Sequence, residues 1–176
     1  MDKQRGSKLS LFLMELIVAI LFFSLSAAVC VRLFTNAHLM AERTENLSNA
    51  VIWSQNLSET FTAKKGNLTE IADLYPDSYF SEDTLILFFN EDWKEVDESL
   101  SQASYEVVLK VRKDLASNVY QDVTDYNIDY EGDAMVGNIA VMDIRGGGDV
   151  LMEIPSDDSQ ILYKTDVDFY IGKGVS

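Results

Sequence analysis

Glu15 is the side chain in this sequence whose setting most demands an explanation. It is the one charge in Leu11–Val31, a run of 21 residues reading LFLMELIVAILFFSLSAAVCV. A carboxylate there is either an incidental acid in a membrane anchor or one that has a partner and a role. The second is favoured, because an acid in lipid is costly alone and usually has a partner and a role. Little else offers chemistry. His38 is the only histidine, so a metal site built on two histidines is impossible, and its place just past the apolar run suits an interfacial polar residue. Cys30 is the only cysteine and lies inside that run, so no intrachain disulfide can form. Gly146-Gly147-Gly148 is not followed by Lys-Ser/Thr and a helix, as a phosphate loop would be, and reads as a hairpin loop. Asp125, Asp129 and Asp133, with Asn127 and Glu131, superficially resemble a calcium loop. Gly132 is eighth rather than sixth, however, and Tyr126, Ile128 and Tyr130 between them give a strand pattern. A solvated strand face is the plainer reading; a calcium site at a strand end is the other, and Asp157-Asp158 is an equally vague candidate. No constellation supports an enzyme, and none calls for a cofactor.

The apolar run is long enough to be an anchor. As a helix it spans about 31 Å, one hydrocarbon core. Thirteen of its residues are Leu, Ile, Val or Phe. At roughly −0.3 to −0.6 kcal/mol each they favour insertion by about 4 to 8 kcal/mol, which a mid-membrane acid at roughly +2.5 to +3.5 kcal/mol does not overturn. Lys3, Arg5 and Lys8 precede the run against one acid, Asp2. Basic flanks stay cytoplasmic, so residues 1–10 are expected inside and everything after Arg32 outside. Net charge is −15, and from Gly66 onward 7 basic residues face 24 acidic ones. Such a head repels phosphate backbones, so nucleic-acid binding is not expected.

A short basic leader followed by an apolar run with Glu at its fifth position resembles the N-terminus of type IV pilin-like proteins: major and minor pilins, and the pseudopilins of secretion and competence machines. The motif here is Ser10-Leu11-Phe12-Leu13-Met14-Glu15-Leu16-Ile17. In that family a prepilin peptidase cuts before the apolar run and methylates the new amine, so the resemblance implies a junction at Ser10 and Leu11. The family's cut follows Gly and its first residue is usually aromatic. Ser10 and Leu11 stand there instead, so the resemblance carries the anchor further than the cleavage. It also implies that Glu15 meets the freed amine of a neighbouring subunit. The implied partners are other pilin-like subunits, an inner platform protein with its assembly ATPase, and the peptidase.

The elements follow from periodicity. From Arg32 to Ala63 there is no Gly and no Pro. Leu39, Leu47, Val51, Ser54, Leu57 and Phe61, joined by Ala50, step at helical spacing, while Glu42, Glu45, Asn46, Asn49, Asn56 and Glu59 lie mostly elsewhere. We expect one helix from about Lys8 to about Phe61, stopped by Lys64-Lys65-Gly66; two helices hinged near Thr35-Asn36 are the alternative. A connector with a short helix at 67–74 follows. Strands are expected at Thr84–Asn90, Ser104–Arg112, Asp125–Glu131, Ala134–Ile144, Val150–Ile154 and Ile161–Ile171, with turns at Glu91–Lys94 and Gly132-Asp133. Short consecutive strands imply an antiparallel sheet, and the amphipathic helix is its available cover. Leu47, Val51, Leu57 and Phe61 should then face Leu85, Leu87, Leu109 and Val141.

The expected fold is therefore α+β and pilin-like: one long N-terminal helix, membrane-spanning then amphipathic, on a C-terminal antiparallel sheet. It divides into a basic leader at 1–10, a transmembrane segment at 11–31, the continuing helix at 32–65 and a β-rich extracytoplasmic head at 66–176. The expected role is a filament or secretion-machine subunit with a single-pass anchor. The competing role is a membrane-tethered binding or sensory module, with a signal peptide cut before Val29 as a variant. The triplets at Asn46, Asn56 and Asn67 match glycan sequons, but two lie within the expected helix.

Overall fold

The computed structural model describes residues 3–97, 103–121, 130–145, 154–155 and 159–172, with side chains from residue 10 onward. Helix α1 runs Lys3–Ala63. It begins earlier than Lys8, because the leader's Lys, Gln and Arg residues are good helix formers and hold no proline. No break occurs at Thr35-Asn36. The chain divides into two compact units, Met1–Glu45 and Asn46–Ser176.

In the first unit every described side chain is exposed. Hydroxyls that would otherwise be unpaired there are returned to their own helix. Ser24 and Ser26 donate to the carbonyls of Ile20 and Phe22 at 2.8 and 2.9 Å, and Thr35 and Thr44 do the same one turn back. Such back-bonding lets hydroxyls sit on an apolar helix without unmet donors.

The second unit is an antiparallel sheet covered by the last turns of α1. After α1 come α2 (Leu68–Ala72), β1 (Tyr79–Phe80), β2 (Thr84–Phe89), β3 (Glu95–Val96), β4 (Tyr105–Leu115), α3 (Ala116–Val119), β5 (Asp133–Asp143) and β6 (Ile161–Gly172). The sheet order is β1-β2-β4-β5-β6, and β3 also pairs with β2. β4 and β5 pair without a break from Tyr105↔Asp143 to Leu115↔Asp133. The α+β arrangement expected from the sequence is the one observed.

Two glycines explain how the helix sits on the sheet. The helix ends in a Schellman-type turn: the Gly66 amide donates to the Phe61 carbonyl at 2.8 Å and the Lys65 amide to that of Thr62 at 3.1 Å. The left-handed position is filled by Lys65 at φ 54 and then by Gly66 at φ 73, so the glycine comes one residue later than the usual cap. A side chain at 66 would strike Met135 Cβ at 2.6 Å. Gly137 leaves room for the helix: a Cβ there would lie 3.0 Å from Phe61 Cε2 and from Val167 Cγ1.

Leu57 and Phe61 are fully buried with Leu85, Leu87, Leu109 and Val141, as expected. Leu47 is not: it is 47% exposed. Leu39 is exposed and Val51 half-buried. The buried helix positions are Asn46, Ala50, Ser54, Leu57 and Phe61, a face turned by one residue from the Leu39–Leu47–Val51 line. Asn46 wins over Leu47 because it has a partner: Trp93 Nε1 donates to its Oδ1 at 3.1 Å. Trp93 stacks on Tyr105 at 4.2 Å and borders Phe89, which in turn meets Trp53 at 4.5 Å. Burial at Asn46 removes it as a glycan acceptor in the folded chain. Ser54 Oγ is buried and has no hydrogen-bond partner among the described residues.

Part of the far face of the sheet, around β2, is also buried. Ile86, Phe88, Val108 and Met142 form a second cluster beside half-buried Tyr79, Val96, Ala103, Ile154 and Ile161. The apolar run at β2 anticipates this, since all six of its residues are buried. The expected strands at 125–131 and 150–154 and the glycine loop at 146–148 fall wholly or largely outside the described residues.

Candidate functional site

Glu15 lies on α1 among exposed apolar side chains. One turn before it are Leu11 and Phe12, one turn after it Val18 and Ala19, and none of these can neutralise it. Leu11, Phe12 and Val18 are 71%, 60% and 44% exposed. Among the described residues no ion pair or hydrogen bond reaches Glu15. An 18-residue stretch of the helix has mean hydropathy 2.5 and none of it is buried within the protein. This is one helix long and apolar enough to cross a membrane. Within the described residues nothing offers this carboxylate a hydrogen bond or a counter-charge.

Ser10 and Leu11 are both helical and exposed. The junction between them is therefore accessible but sits inside a helix, so a protease would have to unwind a turn to reach its peptide bond. His38 is also exposed on α1. The structure places it 23 residues beyond Glu15 along the helix and brings the two into no common site.

Of the calcium candidates, Asp125 and Asp129 lie outside the described residues. Asp133 opens β5, and its Oδ2 pairs with Lys113 Nζ at 2.6 Å. Among the described residues no group of three or more His, Cys, Asp or Glu could hold a metal ion.

Two polar clusters in the head were not legible as sites from the sequence. Tyr120, Tyr130 and Tyr170 have ring centroids 4.8 to 6.1 Å apart. Tyr120 donates to Asp168, and Tyr170 to the Glu131 carbonyl at 2.6 Å. Burial, then the bond to Asp168, pushes the Tyr120 hydroxyl well above its ordinary value. Rings this close pack on one another and leave no space for a cation between them. The other cluster is Asp143 with Arg145, whose Nη2 donates to Oδ2 at 2.7 Å and whose Nε donates to Oδ1 at 3.1 Å. Partial burial raises the Asp143 carboxyl, but the Arg145 side-chain and backbone bonds outweigh it and hold the group below the usual carboxylate value. Arg145 also lies 5.0 Å over the Tyr105 ring. The tyrosine cluster gathers residues 120, 130 and 170 from separate parts of the chain, whereas Asp143 and Arg145 are two residues apart and only the Tyr105 ring comes from another strand.

A cleft of about 590 Å³ on the far face is lined by Lys110, Asn138, Ile139, Ile154, Lys164, Thr165 and Asp166. Its charges are already matched: Lys110 meets Asp83 at 3.7 Å, and Asn138 donates to Asp166 at 2.6 Å. No protein-family model matches the chain, and neither a curated protein nor a solved structure does.

Proposed function

We propose that the chain is a structural subunit of the type IV pilin-like class, a minor pilin or pseudopilin. The helix at 11–31 anchors it in the membrane, and Glu15 joins it to neighbouring subunits. The observation that carries this reading is the single charge of the anchor, exposed and without a cation on the turns around it. The α+β head, a long helix on an antiparallel sheet, accords with it. In the proposed assembly Glu15 accepts the N-terminal amine of another subunit's Leu11, exposed after the peptidase has acted. Both charges are costly in lipid unless they meet. The N-terminus then faces the cytoplasm and the head the outside.

A second reading is favoured by Ser10 in place of Gly: an uncut membrane-tethered binding or sensory module. Glu15→Leu separates the two. A lone acid opposes insertion by up to roughly 3 kcal/mol, so a simple tether should be indifferent to its loss or gain by it. An assembling subunit should insert at equal abundance and fail to co-purify with its complex. Assembly undiminished at equal abundance would refute the role of Glu15. The N-terminal peptide from a membrane fraction decides processing: methylated Leu11 for the subunit, Met1 for the tether.

A further inference from the structure

We draw no further inference here: the strongest candidate, the outer edge of β6, which no strand among the described residues pairs with, carries nothing, because nothing in the structure shows what covers it.

Discussion

The contact of Phe61 with Gly137 joins helix to sheet, and its energetics can be worked out in advance. Phe61 is fully buried, and its ring lies where a Cβ on Gly137 would come within 3.0 Å of Cε2. Phe61→Ala removes a buried ring from a core that has Gly137 and Gly66 beneath it, with few atoms able to collapse into the space, so the cost is about 3–5 kcal/mol. A domain of this size is stable by only about 5–15 kcal/mol, so the variant should stand near its unfolding threshold. Gly137→Ala pushes a methyl against Phe61, Val167 and Leu109 at 3.0 to 3.1 Å and should cost about 1–3 kcal/mol. The two losses should not add: without the ring, the new methyl has one of its three obstacles removed and part of the cavity to fill. The double variant should lose at least about 0.5 kcal/mol less than the sum, beyond the scatter of independent sites. Both tryptophans, Trp53 on the last turns of α1 and Trp93 in the head, pack against the core of the second unit. Fluorescence-monitored urea unfolding of the full chain in detergent therefore reads the head without interference from the anchor. A loss below about 1 kcal/mol for Phe61→Ala, or strict additivity, would show that the ring is not the joint between the layers.

Asn46→Ala should cost about 1–3 kcal/mol in the same assay by leaving the Trp93 indole N–H without its acceptor, whereas Leu47→Ala, on the same turn, should change little. The folded head holds the Asp143 carboxyl below its ordinary value of 3.8. The stability this supplies is present above that pH and lost as pH falls through the folded value. The urea midpoint should therefore drop below about pH 4, and drop less in Arg145→Gln. At the alkaline end the sign reverses: Tyr120 keeps its proton in the folded head, so stability is complete below its ordinary value of 10.0 and falls above it. An acid limb equally steep with and without Arg145 would refute the assignment.

Much of the architecture was legible in the chain. A run of twenty-one residues, apolar but for one acid and two serines, gives a membrane-length helix; the absence of Gly and Pro to Ala63 carries it onward, and Lys65-Gly66 ends it. Alternation placed Tyr105, Val107, Leu109 and Val111 on the core face, where they lie. These are local properties, read from period and turn chemistry. The candidate site was legible for the same reason: the isolation of Glu15 is a fact about the turns on either side of it. What the sequence left undecided was which of two apolar lines on α1 meets the sheet. Leucine spacing favoured Leu47 and Val51, but the choice belongs to Trp93, 47 residues beyond Asn46, whose indole gives a buried amide its hydrogen bond. Nor could period tell that Gly137 must be bare beneath Phe61, although the unbroken apolar run of β2 did announce a strand buried on both faces. Periodicity specifies that a face is apolar. Only the packing of distant side chains, with their volumes and unmet donors, decides what covers it.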